Sequence, residues 1–287
     1  MARPPRHLNT QASQRSSNPG PPVVSPSHFP AVRLNLHRRS FPRERAFVTV
    51  FSASLRVPGI DIARGVALIG MVVFHLTFDL EMVGFVPLGT VSQPGWMIFA
   101  RLVAGSFVFL AGVSFILAHG AGVRWRSFRR GTGLVVLAAV AVSAATWIAM
   151  PHMFVFFGIL HIIATSRVLG LAFLRVPVPV LVGLGLLVWA LPYGLNADLF
   201  NTRWLAWVGF SSAVPLSMDL EPIFPWFGPF LLGMAAARFL PRGRADRRLG
   251  PVARALAWAG QRSLWIYLIH QPVLMGILWF LADALKA

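Results

Sequence analysis

Four ionisable residues recur along one apolar stretch of this chain: Asp61, Arg64, His75 and Asp79. At about 100° per residue they fall within roughly 60° of one another on a helical wheel, so a helix carries them as a single stripe. Ionisable groups inside an apolar helix are costly and normally face a bundle interior, which makes each a functional candidate. Asp61 and Arg64, spaced i,i+3, suit a structural ion pair or a contact to an anionic ligand. His75 and Asp79, spaced i,i+4, suit a different task. A carboxylate that accepts from one imidazole nitrogen fixes the tautomer and raises the basicity of the other, as a general base requires. A hydrogen-bonded helix-packing pair has the same spacing, and both readings stand.

Other polar residues interrupt apolar stretches further on. Arg101 shares a helical face with Gly105, Val108 and Gly112. Those glycines permit close helix approach and would bring the guanidinium into a bundle, to pair with Asp79 or to hold an anionic or developing oxyanion group. His161, in Phe157-Gly158-Ile159-Leu160-His161, shares a face with Gly158 and Thr165 and is expected at a depth comparable with His75. Asp219 and Glu221 precede Pro222-Ile223-Phe224-Pro225-Trp226-Phe227-Gly228, where the prolines break the entry to a helix. These carboxylates either bind a hydroxyl-rich or cationic substrate or solvate a loop. In the last apolar stretch His270, a candidate substrate contact, shares a face with Ser263 and Tyr267, and Pro272 is expected to kink the helix. No metal site is expected, because no ligand spacing such as H-E-x-x-H occurs. A Walker A motif, a dinucleotide fingerprint and a G-x-S-x-G elbow are also missing. With no cysteine, disulfide and thiolate chemistry are excluded.

The elements that position these residues follow from composition. Of 287 residues 56% are hydrophobic and only 12% charged, with a mean hydropathy of +0.67. Such a chain is too apolar for a water-soluble surface or for global disorder. It reads as all-α, a polytopic transmembrane helix bundle. A span needs about 20 apolar residues, and seven are expected, at about 61–81, 96–118, 131–150, 154–173, 177–193, 222–240 and 262–282. The connection 194–221 is expected to hold a short interfacial helix near Trp204–Phe210. Residues 1–55 stand apart as a Pro-, Ser- and Arg-rich tail with Glu44 as its only acid. That tail reads as disordered or as translation from an upstream start, and an organelle transit peptide has a similar composition. The membrane domain then covers 56–287.

The net charge of +17 sorts along the chain rather than forming a nucleic-acid surface. Arginines collect in the tail, in 119–130, at Arg175 and in the 238–262 loop, whereas Asp79, Glu81, Asp198, Asp219, Glu221 and Asp283 fall at the opposite ends. Because Lys and Arg favour the cytoplasmic side of short loops, the N-terminus is placed in the cytoplasm and the C-terminus outside. Lys286 is the only lysine, a bias that fits a GC-rich genome and a bacterial inner (plasma) membrane.

Several segments resemble a known family. Arg56-Val57-Pro58-Gly59-Ile60-Asp61-Ile62-Ala63-Arg64-Gly65-Val66-Ala67, followed by Met71-Val72-Val73-Phe74-His75, is similar to the opening motif of the heparan-α-glucosaminide N-acetyltransferase catalytic-domain family. Phe107-Val108-Phe109-Leu110-Ala111-Gly112-Val113-Ser114, Phe157–His161, Pro225–Gly228 and Ser263–Pro272 fit its bacterial branch, and the resemblance covers about 56–282. It implies acyl transfer, with acetyl-CoA as co-substrate and an amine or hydroxyl of a glycan as acceptor at the outer face. Arg64, Arg124 and Arg126 are then candidates for the CoA phosphates. The eukaryotic transferase has an essential His in the loop leading into its second span. Here that stretch reads Val91-Ser92-Gln93-Pro94-Gly95-Trp96, so His75 or His161 must supply the base, with Arg101 and His161 polarising the acyl group. The rival reading is a transporter or flippase that uses the same buried stripe as a substrate or proton path.

Overall fold

Prolines stand in the first turn of four of the eight described α-helices, and glycines cap the C-termini of three. In the computed structural model, which describes residues 57–240 and 249–284, α1 runs Pro58–Val83 and stops at Gly84, whose φ of +86° lets its N–H turn back to the carbonyls of Leu80 and Glu81. Then come α2 (Pro94–His119), α3 (Trp125–Ala149), α4 (Ile159–Leu169), α5 (Val178–Ala190), α6 (Ile223–Ala236), α7 (Pro251–Gln261) and α8 (Ser263–Ala284). Single 3₁₀ turns extend α4 and α5, and two more lie in the 194–222 connection. The described residues form no sheet; one isolated bridge joins Phe157 to Leu220. The tail 1–55, Arg56 and the loop residues Arg242, Arg244, Arg247 and Arg248 lie outside the described residues.

The apolar surface points outward. α1, α2, α3 and α8 are each long and apolar enough to cross a membrane, and even the most enclosed of them, α2, buries only 39% of its most apolar window. Large side chains such as Leu102, Leu137, Ile148, Trp279 and Phe280 stand on the outside, where lipid rather than water suits them. α4, α5 and α6 are shorter apolar helices. The interior is built by α2, α4, α5 and α6, with Phe115, Ile162, Leu181, Phe230, Leu231 and Met234 almost fully enclosed. Two pairs of glycines set the closest approaches. A Cβ on Gly112 would lie 2.1 Å from the Phe230 carbonyl, and one on Gly233 would lie 2.1 Å from that of Phe109, so α2 and α6 meet backbone to backbone.

Two local expectations are corrected. The 238–262 connection is not simply a loop, because α7 occupies its second half. α7 docks on α1 where Cβ atoms on Gly65 and Gly260 would collide with the carbonyls of Leu256 (2.3 Å) and Asp61 (1.8 Å). The region Trp204–Phe210 forms only one 3₁₀ turn, Ala206–Val208, ended by Gly209 at a φ of +113°.

Candidate functional site

The polar stripe of α1 is met by α7 and α2 at one end and by α8 further along. At the Arg-rich end, Asp61 accepts from Arg64 Nη1 on one oxygen and from Gln261 Nε2 on the other, both at 3.1 Å. Arg64 also donates to Ser114 of α2. Further along, His75 and His270 pack edge to face with ring centres 4.8 Å apart. Each ring directs Nδ1 at a carbonyl one turn back, His75 to Met71 at 3.0 Å and His270 to Tyr267 at 2.6 Å. A carbonyl oxygen can only accept, so each Nδ1 carries the proton and each neutral ring keeps a basic Nε2 lone pair. Asp79, fully enclosed, accepts from Gln271 Nε2 at 2.6 Å. The carbonyl of Met71, not Asp79, therefore fixes the His75 tautomer. The imidazole reaches its own preceding turn more readily than a carboxylate that Gln271 already holds.

This mid-helix group is incomplete. Asp79 Oδ2, His270 Nε2 and Gln271 Oε1 are buried without a partner among the described residues. All three are acceptors under the assigned tautomer. Leaving such groups bare costs about 1–3 kcal/mol each, so the cluster suits a species that donates hydrogen bonds.

Asp219 and Glu221 occupy a second group joined to the first through Tyr267. The connection folds onto the entry to α4, with Glu221 N–H donating to the Phe157 carbonyl at 2.9 Å. Asp219 Oδ2 accepts from the Ile159 N–H at 2.9 Å, and the carboxylate also accepts from the Tyr267 hydroxyl. The contact needs Gly158, since a Cβ there would stand 2.1 Å from that oxygen. Burial pushes the Asp219 carboxyl up to about 6, against hydrogen bonds from Ile159 and Tyr267 that favour its anion. Burial also raises Glu221 well above the usual range, helped by Asp219 and opposed by Arg101 and the Trp226 indole N–H. Arg101 itself is exposed on α2 and faces Glu221, not Asp79.

His161 belongs to this second group as a scaffold. Its Nδ1 accepts the Gly158 N–H at 3.1 Å and its Nε2 lies 3.3 Å from Ser143 Oγ, which itself donates to the Val155 carbonyl. Both ring nitrogens are thus engaged, and no ring contact or hydrogen bond among the described residues joins His161 to His75. Tyr267, Gln271, Gln261, Ser143 and Ser114 are the participants that spacing alone does not pick out. Only Tyr267 carried a signal, its shared face with His270.

Arg124 and Arg126 stand exposed at the start of α3. Among the described residues Asp61 is the only acid at this end, and it is committed to Arg64 and Gln261. A phosphate-bearing acyl donor therefore meets uncompensated cations here, and the residues fit such a group.

These features describe an all-helical membrane protein with a buried polar seam. The chain belongs to the family described as heparan-alpha-glucosaminide N-acetyltransferase, catalytic, whose profile matches residues 56–272. That places it among membrane acetyltransferase-like proteins. Comparisons with curated proteins and with solved structures give no match.

Proposed function

We propose that the protein is an integral-membrane acyltransferase that moves an acetyl group from acetyl-CoA to an amine or hydroxyl of a glycan at the outer face. The observation that carries the reading is the α1–α8 seam, where the His75 and His270 rings pack together and Asp79, held by Gln271, keeps one oxygen without a partner among the described residues. The acceptor is held by Asp79 Oδ2 and Gln271 Oε1, and its departing proton goes to Nε2 of His75, with His270 beside it. Acetyl-CoA supplies an acyl carbon activated by a thiolate leaving group. Asp219 and Glu221, presented by the α4 entry that His161 braces, contact the acceptor's other hydroxyls, and Arg101 attracts negative charge at the same rim. Arg64, Arg124 and Arg126 face the phosphates of the donor.

In this reading residues 56–287 form one membrane domain behind the tail 1–55. The three short helices cross together with the four long ones, giving seven spans with the N-terminus in the cytoplasm and the C-terminus outside, in a bacterial inner membrane. The arginine-rich loops support that orientation.

The test uses the full chain in detergent with radiolabelled acetyl-CoA and acceptors bearing a free amine or a free hydroxyl. Label should move to one of them, and His75→Ala should abolish the transfer. Absence of both acetyl-CoA binding and label transfer sinks the proposal.

A further inference from the structure

Arg167, at the Arg-rich end, has no carboxylate partner among the described residues. Arg167 lies part-buried near the end of α4, where its Nε donates to Thr132 Oγ1 of α3 at 3.0 Å and its guanidinium sits 5.9 Å from the centre of the Phe128 ring. No carboxylate among the described residues pairs with it, since Asp61 is taken by Arg64. Its charged neighbour is a second cation, Arg64. His119, at the end of α2, is within electrostatic reach of Arg167 and Arg124. It is only 2% exposed, and its Nδ1 has no hydrogen-bond partner among the described residues. Ser166, adjoining Arg167 in sequence, is fully enclosed, and its hydroxyl likewise has no partner among the described residues.

A desolvated guanidinium beside other cations is unfavourable until an anion joins it. The guanidinium fork matches phosphate oxygens in geometry, and imidazole and hydroxyl groups add donors. We infer that Arg167 and His119, flanked by Ser166 and Arg124, form a seat for a phosphate group, carried either by a soluble phosphate ester or by a phospholipid headgroup. The seat stands on these residues alone. It deepens the proposed function in one respect: if the acyl donor is a CoA thioester, one of its phosphates docks here.

The experiment takes the full-length protein in uncharged detergent. Inorganic phosphate and coenzyme A are titrated calorimetrically, and retention of phosphatidylglycerol against phosphatidylcholine is read by native mass spectrometry. At least one phosphate-bearing probe should bind wild type about tenfold or more tighter than Arg167→Gln, the scale of one charge-assisted hydrogen bond. His119→Ala should lose less, and Arg254→Gln on α7 should lose nothing. Coenzyme A binding that inorganic phosphate displaces, with phosphatidylglycerol not retained, identifies a soluble ester. Selective retention of phosphatidylglycerol, abolished in Arg167→Gln, identifies a headgroup.

Should Arg167→Gln fail to fold, Arg167→Lys keeps the charge but loses the fork, and its weakened binding serves as the readout. Equal binding of every probe to wild type and to the Arg167 variants overturns the seat. Absence of acetyl-CoA binding and acyl transfer in the wild type, with binding of another phosphate-bearing probe intact, overturns only the transferase reading.

Discussion

Asp61 and Asp79 lie on one face of one helix, and each is held by a glutamine from the C-terminal part of the chain, yet they differ in completeness. Asp61 has both oxygens occupied, by Arg64 and Gln261. Asp79 has one, and its second oxygen is buried without a partner among the described residues, as are His270 Nε2 and Gln271 Oε1. A satisfied ion pair fastens α7 and α2 to α1. A buried carboxylate left half-satisfied costs stability, which a fold tolerates where the group has other work. The difference separates a structural use of intramembrane charge from a chemical one.

The largest effect that would test this contrast is on catalysis. His75→Ala and Asp79→Ala should lower acetyl transfer by about 10²–10⁴-fold, the usual scale for a lost acid–base group. Asp61→Asn should leave transfer within a few fold. Initial rates with labelled acetyl-CoA decide the matter, and equal losses at the two aspartates would erase the distinction. Next in size is packing at the satisfied end. Gly260→Leu forces a Cβ into the Asp61 carbonyl and should cost about 1–3 kcal/mol or more through overpacking. Thermal unfolding in detergent should show it as a lowered midpoint, with the Asp79 region unaffected in transfer assays at low temperature.

The two ends were not equally legible in sequence. Periodicity places Asp61, Arg64, His75 and Asp79 on one face, and the structure lines them against α7 and α8. A helical period says which side is buried, not which helix opposes it. Asp79 therefore invited pairing with His75 or Arg101, while its partner is Gln271, some 190 residues away in the chain. The backbone supplies the rest of the discrepancy, since His75 and His270 both spend Nδ1 on carbonyls of their own helices. α7 was hidden for another reason. Its Pro251–Gln261 stretch is short, carries Arg254 and lies among the arginines of that connection, so it reads as part of the loop, and only the close approach of Gly65 and Gly260 reveals its packing. His161 matched the expected kind of residue but serves the Gly158 turn.

A third measurement sharpens the comparison through stability. Replacing Asp79 and Gln271 together by leucine removes a bare carboxylate and a half-used amide, so the unfolding midpoint should hold or rise while transfer is lost. Asp61→Leu removes the carboxylate paired with part-buried Arg64 and should lower the midpoint, by about 1–3 kcal/mol in stability. Opposite signs at two aspartates of one helix are the signature of the contrast, and equal destabilisation would contradict it.

The smallest effect lies at Asp219, where pH replaces mutation as the probe. Its carboxyl moves from 3.8 up to about 6, chiefly because burial disfavours the anion. The folded chain then binds a proton more tightly than the unfolded one. Linkage gives a stability contribution that is complete below about pH 4 and is lost as pH rises through about 6. Asp219→Asn should flatten the slope of unfolding midpoint against pH in that window and leave other slopes in place. Tyr267→Phe removes a hydroxyl that favours the anion, so it should carry the same transition to higher pH. An unchanged slope in Asp219→Asn would move the titration to another group, with Glu221, raised by the same burial, the next to replace.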